Sequence, residues 1–541
     1  MTAIAPQFRL HSGTRDSPRN TARAAPVHAE QANDHARDGE HDLIVVSDLH
    51  IGRGKNPATG RYFELETFFY DADFLAFCSY LCTEARERSR PFKLILNGDA
   101  FDLLRTDRLE AESAASRRER RYGPAMTGAQ ATALIREILN GHPEFIDGLA
   151  QILSAGYEVI FLPGNHDHEI QWPAIHEEIR SQILARVTAI GPDAAPQRAA
   201  RLLSFRPWFY YEPGRVWIEH GCQYDPENAF RYNLRTKLED EKASLVAYEE
   251  DMPLGNFFQR YLFNSFGHIT FIVPSTRANF RYFRWLIVHQ PGLIGRAIAS
   301  HGRFWWQVMR RLATTSSRAR EQLRKRHQEE LAELAESSGL GDDLRAIDDL
   351  KTVGGDITTT IRALGWQILR DFAGALLIGL SVAGLWFAGF HSIGQLQERF
   401  LFKASLFLLL DFVFLLLAIA VIGYTLLRPS QEPAARPLRR AAEAIGARLD
   451  VPLVCFGHTH EEVLWRLKSV VSRPSWYLNS GTWIAVFTHD VFLPRDRIQY
   501  TFLRIEGSQG TLLHWSPGRG KALPVILLDE REVDPIPPPP G

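Results

Sequence analysis

Short apolar runs that end abruptly in polar residues recur along this chain. They occur in "LIVVSDLHIG", "FKLILNGDAFD", "YEVIFLPGNHD", "RVWIEHGCQ" and "VPLVCFGHTH". Continuous apolar runs of this kind are typical of strands that are buried on both faces. The pattern therefore predicts buried strands, each followed at once by polar residues.

Helical periodicity separates several of these predicted strands. Residues 71–90 are rich in Ala, Leu and Glu, and residues 129–154 repeat apolar positions at helical spacing. Strands that alternate with helices predict a layered α/β or α+β core. Functional groups of open α/β sheets lie beyond the carboxyl ends of the strands, so we expect the polar residues to share one edge of the sheet.

Two later segments are apolar enough to cross a membrane. Residues 372–390 carry no charge, and residues 404–427 carry one acid, Asp411. Each reaches the ~20 residues that span a hydrocarbon layer of ~30 Å. The alternative is a pair of buried core helices. An acid within a span usually contacts protein or marks a function, and we favour a helix–helix or oligomer contact for Asp411.

The short link between the two segments, residues 391–403, predicts an antiparallel hairpin. Arginines flank its outer ends, at positions 362, 370, 428, 436, 439 and 440. Positive residues remain preferentially in the cytoplasm, so we expect a multi-pass protein of the inner membrane with both flanking regions in the cytoplasm.

The stretch before this hairpin differs from the rest of the chain. Residues 277–311 interleave Arg with Phe, Tyr and Trp, and a charged helix is predicted after them. This composition suits a surface element that meets anionic lipid headgroups. Base stacking in a nucleic-acid groove is the alternative. We prefer the lipid interpretation because the predicted spans are adjacent.

Composition limits the other possibilities. The chain has 541 residues and a formal net charge of −1, so no global field indicates nucleic acid, and no nucleic-acid partner is expected. The four cysteines form no C-x-x-C pair, which favours reduced core cysteines. Residues 1–40 lack periodicity and an apolar segment, so a disordered tail is expected there.

The residues at the predicted strand ends are oxygen and imidazole donors. They are Asp48, His50, Asp99, Asn165, His166, His220, His458 and His460. The set contains no thiolate. It therefore favours Mn²⁺, Fe²⁺ or Zn²⁺ at an open site over a closed structural zinc site.

The five motifs "SDLHIG", "NGDAFD", "PGNHD", "EHG" and "GHTH" resemble, in this order, the blocks of the calcineurin-like metallophosphoesterase superfamily. The resemblance covers 43 to about 230 and 450 to about 490. It implies a four-layer β-sandwich flanked by helices, with two divalent metal ions, most readily Mn²⁺. We expect these regions: a tail 1–40, catalytic segments 41–230 and 438–530, a helical basic-aromatic insert 231–360, a transmembrane hairpin 361–428 and a Pro-rich tail 531–541.

The resemblance also implies a role for each residue. Asp48, His50 and His460 would hold the first metal, and Asn165, His220 and His458 the second. Asp99 would bridge the two metals. His166 would not be a ligand and would donate a proton to the leaving oxygen. Asp167 would hold the tautomer of His166, Asp102 would act in a similar outer position, and Gly164 would permit the turn.

Together these features predict a membrane-anchored hydrolase of phosphoester or pyrophosphate bonds. Its expected substrate is lipid-linked or nucleotide-linked, at the cytoplasmic face of the membrane. The chain distantly resembles UDP-2,3-diacylglucosamine pyrophosphohydrolases, which are shorter, peripheral and carry Arg at the position of His166. The alternatives are a phosphodiesterase or phosphatase for a soluble nucleotide or phosphoprotein, and a catalytically silent membrane scaffold.

Overall fold

The computed structural model describes most of the chain between residues 41 and 525. The described ranges are 41–56, 58–106, 122–123, 126–191, 196–236, 251–265, 271–272, 292, 306–307, 317–351, 357–397, 399–427, 435–467, 474–487 and 500–525. The predictions for both tails, and for most of the basic aromatic stretch 277–311, lie outside these residues.

The described strands form two large sheets and one two-stranded ribbon. In chain order they are β1 (Asp42–Val46), β2 (Phe92–Asn97), β3 (Glu158–Leu162), β4 (Leu203–Phe205), β5 (Phe209–Glu212), β6 (Val216–Glu219), β7 (Phe271–Ile272), β8 (Leu453–Phe456), β9 (Glu462–Arg466), β10 (Trp476–Ser480), β11 (Val486–Phe487), β12 (Tyr500–Glu506), β13 (Gln509–Ser516) and β14 (Lys521–Pro524). The larger sheet has the order β14-β13-β12-β1-β2-β3-β4, and the smaller one the order β5-β6-β8-β10-β9.

All five apolar runs form strands, but these strands belong to two sheets. β1 to β4 pair in parallel in the larger sheet, and β6, β8 and β10 pair in parallel in the smaller one. The expectation of a single sheet edge is therefore wrong. The runs are equally apolar because both sheets are covered on both faces.

Alternate residues of β1 show how the layers are arranged. Leu43 and Val45 belong to a core cluster shared with Ile218 and Leu478 of the smaller sheet. Ile44 and Val46 belong instead to a cluster formed with helices. Successive strand side chains point to opposite faces, so the two sheets face each other and helices cover the outer face of the larger sheet.

The described part of the chain contains eleven α-helices. They are α1 (Asp71–Glu87), α2 (Gly128–Gly141), α3 (Pro143–Ser154), α4 (Pro173–Ile190), α5 (Pro196–Leu202), α6 (Leu254–Tyr261), α7 (Ser317–Ser337), α8 (Asp342–Asp348), α9 (Ile357–Gln395), α10 (Phe400–Leu427) and α11 (Ala435–Leu449). α1 to α5 contribute to the helical cluster on the larger sheet, and α7, α8 and α11 to a cluster on the smaller sheet. A mixed α/β class is thus confirmed.

The predicted helix 129–154 is two helices. α2 ends at Gly141 and α3 begins at Pro143, with His142 between them. Proline has no N–H and suits the first turn of a helix, where that group has no intrahelical partner. The apolar period continues across the break, so periodicity alone did not reveal it.

The chain returns to both sheets after its long central section. β8 pairs in parallel with β6, and β12 pairs antiparallel with β1. Residues separated by several hundred positions in sequence therefore become strand neighbours. The strands β12 to β14 were not among the predicted strands. They form an antiparallel meander at one side of the larger sheet.

Two helices are long and apolar enough to cross a membrane. The apolar windows are Leu377–Gln395 in α9 and Phe400–Leu417 in α10. No part of either window is buried in the described structure, which argues against the alternative of core helices. Length and composition are the basis of this assignment, and orientation stays a prediction.

A polar pair joins the two apolar helices. The indole Nε1 of Trp386 donates a hydrogen bond to Oδ1 of Asp411 at 2.8 Å. A side chain on Gly389 would meet Leu410, so the helices approach closely at this point. Asp411 therefore makes a contact between the two apolar helices, as expected for an acid within an apolar segment.

We expect Trp386 and Asp411 to be energetically coupled. Trp386→Phe should destabilise the hairpin because it leaves the carboxyl group of Asp411 without its donor, whereas the same change in an Asp411→Leu background should cost little. A coupling of about 0.6–1.7 kcal/mol is expected from a double-mutant cycle measured by unfolding in mixed micelles. Phe387→Leu, at an exposed position, is the control. Additive effects of the two changes would contradict the pair.

Candidate metal centre

Loops that follow five strands place all eight predicted residues together. β1 precedes Asp48 and His50, β2 precedes Asp99, β3 precedes Asn165 and His166, β6 precedes His220, and β8 precedes His458 and His460. All are buried except His458, which is partly buried. The site therefore lies where the carboxyl ends of parallel strands from two facing sheets meet.

The backbone of this site is strained. Among the described residues, seven other than glycine have positive φ, and five of them are predicted ligands. The five are Asp48 (55°), His50 (46°), Asp99 (50°), His458 (69°) and His460 (59°). Such conformations cost of order 1–3 kcal/mol each and cluster at functional sites. The surrounding fold must hold these loops in place.

Asp48, His50 and His460 form one group that could hold a metal ion. Nε2 of His460 lies 3.3 Å from Oδ1 of Asp48 and 3.0 Å from Nε2 of His50. The distance between Nε2 of His50 and Oδ1 of Asp48 is 3.9 Å. One carboxylate oxygen and two imidazole nitrogens thus converge on a small volume.

Asp48, Asp99 and His220 form a second group. Nε2 of His220 lies 3.2 Å from Oδ2 of Asp99, while its Nδ1 contacts the carbonyl oxygen of Asn97 at 3.0 Å. A proton on Nδ1 leaves Nε2 with a lone pair for a cation. Oδ2 of Asp99 also lies 3.7 Å from Nε2 of His50, so Asp99 lies between the two groups.

Asn165 and His458 lie together beside the second group. Oδ1 of Asn165 is 3.1 Å from Nδ1 of His458, and the His458 ring lies 5.4 Å from the His220 ring between centroids. Nε2 of His458 contacts Oδ2 of Asp225 at 2.8 Å. Asp225 was not predicted, since nothing in the motif marks a carboxylate five residues after His220.

Carboxylates and imidazoles inside the site shift each other's pKa values. Burial would raise the pKa of Asp99, but the neighbouring His220 and His166 hold it well below its usual range. Burial would lower the pKa of His220, yet Asp99 and Asp48 raise it to about 10. Burial lowers the pKa of His50 to about 4. The buried carboxylates thus favour positive charge in this site, and a bound cation would supply it in place of a second proton on His220.

The residues present fit a divalent cation. Oδ1 of Asp48 and Nε2 of His220 are buried and have no hydrogen-bond partner within the described part of the chain. Buried polar atoms of this kind call for a partner, and carboxylate and imidazole donors suit Mn²⁺, Fe²⁺ or Zn²⁺. Buried Asp and His groups that could hold a metal ion are therefore present, as predicted.

Asp102 contacts two histidines at once. Its Oδ1 lies 2.9 Å from Nδ1 of His166, and its Oδ2 lies 3.4 Å from Nδ1 of His50. Burial would raise the pKa of Asp102, but the nearby His166 lowers it, so the carboxylate stays ionised. Asp102 therefore fixes the ring of His166 and that of a predicted ligand together.

The predicted role of Asp167 is wrong. Its carboxylate accepts hydrogen bonds from the backbone N–H of Gly164 at 2.7 Å and of Asp99 and Phe101 at 3.1 Å each. It ties the loop after β3 to the loop after β2, and Asp102 takes the position beside His166. Because Asp167 is adjacent to His166 in sequence, a contact between the two was predicted. The loop instead directs these neighbouring side chains to different partners.

Gly164 is required for a reason that differs from the predicted one. Its φ is not in the left-handed region, but a side chain there would collide with Asp99. A side chain on Gly457 would likewise collide with the carboxylate of Asp48. Glycine at these two positions therefore lets the loops approach the carboxylates, which a turn signal in the sequence does not reveal.

The central section also contributes to the site. Asn256 of α6 donates through Nδ2 to the carbonyl oxygen of Asn165 at 2.8 Å, and its Oδ1 lies 3.4 Å from Nδ2 of Asn165. Sequence reasoning missed Asn256, because it lies outside every recognised motif.

Comparison with known proteins adds no assignment. No protein-family model and no curated protein matches this chain. The metallophosphoesterase resemblance therefore depends on the five sequence motifs.

Asp48 belongs to both groups, so we expect Asp48→Asn to weaken cation binding at both. The amide keeps the shape and tolerates the left-handed backbone but removes the charge. Because even outer partners of metal ligands contribute 10–100-fold, Mn²⁺ affinity should fall by at least about 100-fold. Calorimetric titration and elemental analysis would measure it. Asp147→Asn on α3 is the control, and unchanged Mn²⁺ content would contradict the assignment.

We expect Asp167→Ala to destabilise the fold more than Asp102→Asn. The first change leaves three loop N–H groups without their acceptor, at an expected cost of about 2–4 kcal/mol. The second keeps a hydrogen-bonding group beside His166. Thermal unfolding of both variants, beside Asp147→Ala, would measure the difference. An unfolding temperature for Asp167→Ala equal to that of the parent would contradict this role.

Proposed function

We propose that this chain is a metal-dependent hydrolase of phosphoester or diphosphate bonds and a member of the calcineurin-like metallophosphoesterase superfamily. The observation that carries the proposal is the pair of Asp/His groups that share Asp48 at the carboxyl ends of four strands. Two facing sheets with helices on their outer faces agree with the four-layer sandwich that the motifs imply.

The residues that would hold two cations follow from the groups and the motifs. Asp48, His50 and His460 would hold the first, Asn165, His220 and His458 the second, and Asp99 would contribute to both. When bound, the cations would act as Lewis acids that polarise the phosphoryl oxygens and lower the pKa of a water molecule. Mn²⁺ is the proposed metal, with Fe²⁺ or Zn²⁺ as substitutes.

His166 is the proposed proton donor to the leaving oxygen. Burial would lower its pKa, but Asp102 and Asp99 raise it above the usual value, so the imidazolium form is favoured. Asp102 contacts Nδ1 of His166 at 2.9 Å and thereby orients the ring for proton donation. The buried carboxylates around it stabilise the ring while it is charged.

The proposed location is the cytoplasmic face of the inner membrane. α9 and α10 supply the apolar hairpin, and Arg436, Arg439 and Arg440 follow it at the start of α11. Positive residues at the outer ends favour a cytoplasmic catalytic domain. A phosphorylated or diphosphate substrate in or near the bilayer, lipid-linked or nucleotide-linked, is the simplest proposal for an anchored hydrolase.

Turnover by the full chain in lipid nanodiscs would test this function. With Mn²⁺ supplied, we expect hydrolysis of a phosphodiester such as bis-p-nitrophenyl phosphate, and loss of activity when a chelator removes the metal. Asp99→Asn should lower kcat by at least about 100-fold, because it weakens both metal groups. Asp147→Asn is the matched control and should retain the parental rate.

The choice of substrates separates the alternatives. Faster hydrolysis of a phospholipid or a nucleotide-linked lipid than of soluble diesters would support a membrane substrate. Hydrolysis of soluble nucleotides or phosphopeptides only, at equal rates in nanodiscs and in detergent, would favour a soluble substrate. The hairpin would then serve only as an anchor. Bound Mn²⁺ without hydrolysis of any ester would favour a catalytically silent scaffold.

A further inference from the structure

The carboxylate of Asp225 sets the position of the proton on the ring of His458. Oδ2 of Asp225 lies 2.8 Å from Nε2 of His458. The same carboxylate accepts hydrogen bonds from the backbone N–H of Glu227 at 3.0 Å and from Nδ2 of Asn228 at 2.8 Å. An ionised carboxylate only accepts hydrogen bonds, so Nε2 of His458 is the donor in this pair. In the neutral ring, Nδ1 of His458 then carries a lone pair.

The side-chain amide of Asn165 is oriented by Asn256. Nδ2 of Asn256 donates to the carbonyl oxygen of Asn165 at 2.8 Å, and this contact assigns the two ends of the Asn256 amide, because a carbonyl oxygen only accepts. Oδ1 of Asn256 then lies 3.4 Å from Nδ2 of Asn165, which assigns the second amide in turn. The atom of Asn165 that lies beside His458 is therefore its oxygen, Oδ1.

Two acceptor atoms consequently lie together. Oδ1 of Asn165 and Nδ1 of His458 are 3.1 Å apart, and neither can donate to the other while the ring proton is on Nε2. Two lone pairs at this distance repel each other, and a cation bound by both atoms would remove the repulsion. Amide oxygen and imidazole nitrogen are ligands that Mn²⁺ and Zn²⁺ accept. The ring of His220, the third proposed ligand of the second cation, lies 5.4 Å from that of His458 between centroids.

We infer that Asp225 and Asn256 are positioning residues for the second cation. Asp225 makes Nδ1 the ligand atom of His458, and Asn256 makes Oδ1 the ligand atom of Asn165. The inference rests on the proposed function for the presence of this cation. Partners that orient metal ligands typically contribute about 10–100-fold to metal affinity. Because Asn256 belongs to α6, binding of the second cation depends on the packing of a helix from the central section against the loop after β3.

Mn²⁺ binding by the full chain in nanodiscs tests the inference without requiring turnover. We expect calorimetric titration of the parent to resolve two binding steps. Asp225→Leu should lower the affinity of one step by roughly 10–100-fold and leave the other close to its parental value. Asp225→Asn should lose less, because its amide oxygen still accepts from Nε2 of His458. Asn256→Ala should weaken the same step as Asp225→Leu.

Electron paramagnetic resonance supplies a readout that a purely structural role would not change. Two Mn²⁺ ions held side by side interact magnetically, as metals of a two-metal site do, whereas a single bound ion gives the spectrum of isolated Mn²⁺. At a Mn²⁺ concentration that fills both parental sites, Asp225→Leu and Asn256→Ala should shift toward the isolated spectrum. Glu227→Gln, at an exposed position two residues after Asp225, is the matched control and should retain the coupled spectrum.

The unfolding temperature establishes that each variant is folded. Asp225→Ala replaces the leucine variant if that one does not fold, and Asn256→Ala is an independent test. Binding of only one Mn²⁺ by the parent, equal weakening of both steps, unchanged binding in Asp225→Leu or Asn256→Ala, or equal losses in Asp225→Leu and Asp225→Asn would overturn the inference. Selective loss of one Mn²⁺ in these variants, with no hydrolysis of any ester by the parent, would support the inference while refuting the proposed reaction.

Discussion

The buried carboxylate of Asp99 sets the spacing of three loops. Its Oδ1 accepts from the N–H of His166 at 2.7 Å, and its Oδ2 lies 3.2 Å from Nε2 of His220. The first contact ties β2 to β3, and the second ties the larger sheet to the smaller one. A buried anion needs compensation, so the donors around Asp99 are constraints on the fold as well as on the chemistry.

Much of this arrangement could be predicted from the sequence, because strand burial and strand-end chemistry are local signals. "LIVV" and "LVCF" are strands, and the polar residues after them do converge. The division into two sheets could not be predicted, since runs buried on both faces look alike in either sheet. Asp225 and Asn256 were missed because their roles depend on tertiary neighbours. Asp167 was misassigned because adjacency in sequence does not fix the direction of a side chain in a loop.

The apolar helices α9 and α10 are part of an insertion between two adjacent strands. β6 ends at Glu219, β8 begins at Leu453, and the two pair in parallel within the smaller sheet. The cost of closing a loop rises slowly with its length, so a large insertion at such a point leaves the sheet intact. One member of the insertion, Asn256, nevertheless contacts a predicted ligand. The insertion therefore adds both a pair of long apolar helices and a part of the site wall.

The left-handed backbone at five predicted ligands has a consequence for how an ion would bind. Hydrogen bonds such as that from Thr482 Oγ1 to the carbonyl oxygen of Asp48 hold these unfavourable conformations. Their unfavourable energy is part of the free energy of folding. Binding of a cation would therefore require little rearrangement of the chain. Such preorganisation would raise the affinity for a cation, because binding would not have to order the loops.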